Sequence, residues 1–192
     1  MSHPPDGVDV DRAVALLDDA AAHLAFVRIR RHIPHGDPLD GIVLGVSPEW
    51  TVIADLYDAT FDGYIAFRTA DLRSIEVRLP PDPLAIRALK VAGEWPPAAP
   101  VRPALGSLAE VLGMAAVNGP ILDVQTEYAT PDEAYLGRLL RLDDTELVLL
   151  QIGSDGDWDP EPGTFDVAEV TRVGFGSRYA QTLYAVGGEP PE

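Results

Sequence analysis

The sequence predicts a mainly β protein with short helices, of the α+β class. It is built as two tandem five-stranded antiparallel small barrels, each preceded by a helix. Three observations carry this. A hairpin of two short apolar strands, Gly41 to Leu56, comes back at Gly137 to Ile152. Several segments alternate apolar and polar residues at period two, the signature of half-buried strands. The 192 residues also divide into two stretches of equal length with the same order of elements.

Taken in order, residues 1–8 form a Pro/Gly-bearing tail expected to be disordered. A helix follows, with Val10, Val14, Leu17, Ala21 and Leu24 on one stripe and Asp9 placed as N-cap. In residues 25–33, Val27, Ile29 and Ile33 alternate with Arg28, Arg30 and His32, and Arg31 interrupts the apolar side. Next comes the hairpin, with strands from about Leu39 to Val46 and Trp50 to Leu56 around the turn Ser47-Pro48-Glu49, where proline presets φ. A loop over residues 57–63 leads to a strand at Tyr64–Arg68, a break at Thr69–Asp71, and a last strand from Leu72 to Leu79 that Pro80 and Pro81 stop. Leu84–Ala92 reads as a short helix ended by Gly93. So many short strands bury their apolar faces by bending the sheet into a small barrel.

The second half repeats this order. At an offset of 96, Ser107 falls on Asp11, Gly137 on Gly41 and Ile152 on Leu56. At 98, Phe165 falls on Phe67 and Val173 on Ile75; at 95, Gly188 falls on Gly93. The expected organisation is a first unit over 9–93, a Pro-rich linker over 94–103 and a second unit over 104–188.

The unit resembles the Sm/LSm family: a helix, a Gly-bearing second strand (Asp40-Gly41-Ile42-Val43-Leu44-Gly45-Val46), a later Asp62-Gly63-Tyr64 strand, then a short turn into an apolar last strand. The resemblance implies an Sm-like SH3-type barrel, sheet-edge assembly and RNA binding through two loops. The residues for that binding do not carry over. The loops read Ser47-Pro48-Glu49 and Arg68-Thr69-Ala70-Asp71 in the first unit, and Asp143-Asp144-Thr145 and Asp166-Val167-Ala168-Glu169 in the second. Only Arg68 stands where a phosphate would be met.

Composition narrows the function. The net charge is −17, with −6 over residues 1–96 and −11 over 97–192. A surface of that sign repels phosphate backbones and anionic lipid, so nucleic-acid and membrane partners are disfavoured. No apolar run approaches the ~18 residues of a membrane span. The absence of cysteine excludes disulfides, thiolate nucleophiles and zinc–thiolate sites, and with the polar N-terminus it points to the cytoplasm.

Two stretches stand out as sites. Arg28, Arg30 and His32 share a strand face that suits a phosphate or an acidic peptide, or else neutralises carboxylates on neighbouring strands. Asp155, Asp157, Asp159 and Glu161 alternate in a loop as calcium ligands do, though without the EF-hand glycine and terminal glutamate. Trp158 in that loop is either a lid or an exposed contact. No catalytic constellation and no cofactor motif is present. The expectation is a non-catalytic binding and assembly protein that self-associates through sheet edges into dimers or rings, with a further protein partner possible. The alternatives are an Sm-like RNA-binding module and an acidic inhibitor or immunity-type protein that masks a basic partner.

Overall fold

The computed structural model describes residues 9–78 and 83–191. The tail 1–8 and the strand end at Leu79 with Pro80 and Pro81 lie outside the described residues. The first half contains α1 (Val10–Ala22), β1 (Phe26–Arg31), β2 (Leu39–Val46), β3 (Trp50–Tyr57), β4 (Thr60–Arg68), β5 (Leu72–Arg78) and α2 (Pro83–Ala92). The second contains α3 (Leu108–Asn118), β6 (Leu122–Gln125), β7 (Tyr135–Leu142), β8 (Glu146–Gln151), β9 (Gly163–Asp166), β10 (Arg172–Phe175) and α4 (Arg178–Gly187). A 3-10 turn joins the last two strands of each half, at Thr69–Asp71 and Val167–Glu169.

The strands form one open antiparallel sheet in the order β5-β1-β2-β3-β4-β10-β6-β7-β8-β9. This overturns the expectation of two closed five-stranded barrels. Barrel closure would satisfy the free edge of β4 by curling each sheet onto itself. Here β10 takes that edge instead, pairing Tyr64–Phe67 with Phe175–Arg172, so the ladder runs on from one half into the other. The loop expected over residues 57–63 is also absent. Asp58 and Ala59, with φ of 47° and 60°, make a two-residue turn, and β4 starts at Thr60. Two positive φ values in succession give the turn twist that matches a hairpin.

The two halves use the same local devices. A register shift falls between Val43 and Gly45 on β2, and between Leu139 and Arg141 on β7. Gly41 lets β3 approach: a Cβ there would sit 2.2 Å from the Ala54 carbonyl oxygen. Gly137 stands in the same relation, 2.2 Å from the Leu150 oxygen. The correspondence is 96 for β2 and β3, but not for β1. Val27 pairs with Gly41, whereas Leu122 pairs with Gly137, an offset of 95. The offset of 96 therefore does not hold before β2: it is 95 on β1, and the helix caps Asp9 and Ser107 lie 98 apart, so Ser107 matches Asp9 and not Asp11. On a period-two strand the one-residue slip exchanges the faces. It places Val124 at the buried position of Ile29 and not on Arg28.

Four helices cover the sheet. α1 begins at Asp9, whose carboxylate accepts from the Asp11 and Arg12 amides at 3.1 and 3.4 Å. Such a cap contributes about 1 kcal/mol. Ala13, Leu17 and Ala20 of α1 pack on Val27, Ile29, Ile53, Ile65 and Phe67. α2 covers Phe26 and Ile42 through Ala85 and Leu89. α3 crosses the joint: Leu108, Val111, Leu112, Met114 and Ala115 pack on Leu122, Val124, Val173 and Phe175 of their own half and on Trp50, Val52 and Ala66 of the other. β4 thus sends Ile65 and Phe67 to the α1 core and Ala66 to the α3 core. It is the wall the two cores share.

Candidate functional site

The joint between β4 and β10 holds the strongest polar arrangement in the molecule. Along β1, Val27, Ile29 and Arg31 alternate as buried positions with Arg28 and Arg30, so Arg31 is in phase with the face that packs under α1. It is tolerated because Nη1 and Nη2 donate to the two carboxylate oxygens of Glu127, both at 2.6 Å. The side chains are 1% and 9% exposed. Thr171 Oγ1 donates its one proton to Glu127 Oε2 at 2.7 Å and lies 3.1 Å from the Gln125 carbonyl. Burial raises the Glu127 carboxyl, but the paired bonds and charge of Arg31, with the Thr171 hydroxyl, outweigh it and hold the group below its ordinary value.

Beside this pair, the Tyr128 hydroxyl donates to Asp71 Oδ1 at 3.2 Å, and the Asp71 carbonyl accepts from the His32 amide at 2.7 Å. Burial, then the neighbouring Asp71, pushes Tyr128 up to about 12. Burial also raises Asp71, against the opposing charge of Arg68 and the Tyr128 bond. At the other end of the joint, Asp62 Oδ1 accepts from the Arg178 amide at 2.8 Å, fastening α4 to the first half. Gly63, at φ +79°, brings β4 against residues 175–177; a Cβ there would lie 2.5 Å from the Phe175 oxygen.

The residues singled out from the sequence are dispersed. Arg28 is taken by Asp40 on the neighbouring strand, with bonds of 2.8 and 2.7 Å, which fits the reading of local neutralisation. Arg30 is exposed and has no side-chain partner among the described residues. His32 is half-buried, with Nε2 buried and unbonded. Arg68 turns into the joint, donating to the carbonyls of Val167 and Ala168 at 3.2 and 2.8 Å. Those bonds occupy the guanidinium that the family resemblance would aim at phosphate.

In the acidic loop, Asp155, Asp157, Asp159 and Glu161 are all exposed, and no group of three or more metal-ligating side chains converges among the described residues. Asp155 Oδ1 accepts from the Asp157 amide at 3.2 Å, a bond that shapes the turn. Trp158 is a lid. It bridges to Ile152 as an isolated β-pair and packs with Ile121, Ile152, Ala180 and Leu183 under α4. Gly156 and Gly187 allow this contact: a Cβ on Gly187 would lie 2.4 Å from the Gly156 oxygen.

A cleft of about 430 Å³ opens near the joint, lined by Gly63, Tyr64, Glu94, Asn118, Gly176 and Gln181 among others. Several of its polar atoms bond within the protein. Glu94 accepts from the Phe61 amide, Asn118 bonds Val101 and Met114, and Gln181 donates to the Gly176 carbonyl.

The longest run of unpaired groups is backbone. Among the described residues β5 pairs only with β1, and β9 only with β8, so each leaves one row of amides and carbonyls open. β5 shows Arg73, Ser74, Glu76 and Arg78 with half-buried Ile75 and Val77; β9 shows Thr164 and Asp166 with half-buried Phe165. No helix among the described residues is long and apolar enough to cross a membrane. Comparison with protein-family models, curated proteins and solved structures finds no match to this chain.

Proposed function

We propose that this chain is a non-catalytic assembly module of the cytoplasm that binds protein strands along the two open edges of its sheet. One observation carries the reading: the sheet passes unbroken through the β4–β10 joint and ends in β5 and β9, each with a free ladder. An open edge is a template for a further strand, which gains main-chain hydrogen bonds on docking. Several other polar features serve the fold itself. Arg28 and Arg68 are engaged within the chain, and Glu94, Asn118 and Gln181 of the cleft at the joint each bond within the protein. The net charge of −17 favours partners with basic flanks around the docking strand.

Photo-crosslinking tests this. A crosslinking amino acid is placed at Ser74 on β5, at Thr164 on β9, and at exposed Asp18 on α1 as control. The expected result is discrete adducts from both edge positions in the native cytoplasm and none from the control. Edge positions that react no more than Asp18 would refute edge binding.

A further inference from the structure

The joint inside the chain is a template for a joint between chains. β10 and β5 are the same kind of strand: each pairs with the first strand of its half, Val173 opposite Val124 and Ile75 opposite Ile29. β4 and β9 correspond likewise, with Ile65 opposite Ile53 and Gly163 opposite Leu149. Both correspondences lie at an offset of 98. The internal joint therefore consumes one edge of each kind, and the sheet still displays the other two, a β10-like edge at β5 and a β4-like edge at β9. A head-to-tail contact between copies can reproduce it.

Copying the internal register sets the pairs. Internally, Arg172 faces Phe67, Val173 faces Ala66, Gly174 faces Ile65 and Phe175 faces Tyr64. Moved by 98 residues, the same register puts Ser74 opposite Phe165, Ile75 opposite Thr164, Glu76 opposite Gly163 and Val77 opposite Pro162. One step further, Arg73 meets Asp166 within β9; at the other end Arg78 comes toward Glu161, which lies in the bend before β9, beyond Pro162 with no amide to donate. Both flanking pairs are of opposite charge. The bulk is also exchanged: internally the small residue is Gly174 on the β10 side, whereas externally it is Gly163 on the β9 side, facing Glu76. Arg73 and Glu161 are exposed and have no side-chain partner among the described residues. Asp166 is exposed and bonds through Oδ1 to the Ala168 amide, leaving Oδ2 open; Arg78 holds only exposed Glu76 at 3.1 Å.

We infer that the occupant of the β5 edge is the β9 edge of a second copy of this chain, in the register that sets Arg73 against Asp166 and Arg78 against Glu161. This rests on the reading of the edges as strand-binding surfaces and names their partner. The full chain is examined at low salt by sedimentation and light scattering. The wild type is expected to exceed the 20.6 kDa of one chain. R73D and D166R each place like charges opposite and are expected to weaken association by about tenfold or more. An equal mixture of the two variants regains association, since every β5–β9 contact between unlike chains is again of opposite charge. Because Asp166 also bonds the Ala168 amide, R78E and E161R repeat the test at a pair without that role. Circular dichroism and thermal unfolding verify that each variant remains folded.

A wild type that stays monomeric at low salt overturns the inference. So does association that all four variants leave unchanged, or a mixture that does not recover. Edge crosslinks to other proteins from a strictly monomeric chain would leave edge binding standing and remove the self-partner. The absence of any edge adduct would remove both.

Discussion

Replacing Arg31 by methionine keeps most of the buried volume and leaves the Glu127 carboxylate in the joint with the Thr171 hydroxyl bond and the weaker charge of Arg172 to support it. Removing one partner of a buried ion pair costs about 3–5 kcal/mol, because the remaining charge stays desolvated. For a chain of this size that corresponds to a fall in Tm on the order of 10 °C. The pH dependence identifies the cause. In the wild type the Glu127 carboxyl is held below its ordinary value of 4.5, so its contribution is present above that pH and is lost as pH falls through the folded value. In R31M the same carboxyl is raised by burial, and taking up a proton relieves the cost. The penalty is therefore full at pH 7 and shrinks towards pH 4. The double variant R31M/E127L removes both charges and returns to within about 1–2 kcal/mol of the wild type. Urea unfolding across this pH range measures all three proteins. Amide exchange should rise at Tyr64–Phe67 and Arg172–Phe175 before it rises in β1 or β7. An R31M penalty under about 1 kcal/mol at pH 7, or one independent of pH, would refute the argument.

Asp55 is half-buried on β3, and burial, with a smaller push from Asp62 and Asp40 against the charge of Arg172, raises its carboxyl to about 6. A raised acid lowers stability as pH climbs from about 4 to 6, so Asp55→Asn should stabilise by on the order of 2 kcal/mol at pH 7 and by nothing below pH 4, read from urea midpoints. Gly63→Ala forces a Cβ onto the Phe175 oxygen at a φ of +79°, and a loss above about 2 kcal/mol is expected, with faster exchange at the β4–β10 ladder. Gly41→Ala should cost as much by driving β3 off β2, while Gly93→Ala, where nothing lies within 4 Å of the Cβ site, should cost only the ~1 kcal/mol of the left-handed conformation. Trp158→Ala uncovers Ile152 and Leu183 and should cost about 2–4 kcal/mol with a shift in tryptophan fluorescence; an unchanged unfolding midpoint would show that the lid bears no load.

Elements with strong periodicity and local caps were legible in the sequence. β2 has the expected limits, Asp9 caps α1, and Gly93 adopts a positive φ of 74° at the end of α2. These features depend on neighbours in the chain. The joint depends on residues about a hundred positions apart, and one of its partners did leave a trace. Arg31 continues the phase of Val27 and Ile29, so a charge stood on a face destined for burial. A cation in that place requires a buried anion, but nothing local identifies Glu127, which follows the end of β6 and is out of phase with Leu122 and Val124. The barrel expectation failed for a related reason. Alternation states which face of a strand is dry, not which strand takes its edge, and closure and extension satisfy the same pattern. Arg28 illustrates the opposite case: its partner Asp40 lies on the adjacent strand of the same half, within reach of a local argument.

The proposed external joint shares the register of the internal one but not its locks. By the correspondence of β1 with β6, Thr126 stands where Arg31 stands, and His32 stands where Glu127 stands. An external joint therefore sets a hydroxyl against an imidazole where the internal one sets a guanidinium against a carboxylate. Asp166 likewise occupies the place of Arg68, so the bonds from a guanidinium to the carbonyls of residues 167 and 168 have no external counterpart. α3 adds a core beneath the internal joint, through Trp50, Val52 and Ala66. The internal contact is thus dry, bidentate and continuous with the fold, whereas the external one relies on a ladder and two exposed charge pairs that salt screens. On the proposed self-pairing, the joint in the middle of the chain is permanent and the ones at its ends are reversible, so each copy would remain intact while its partners exchange.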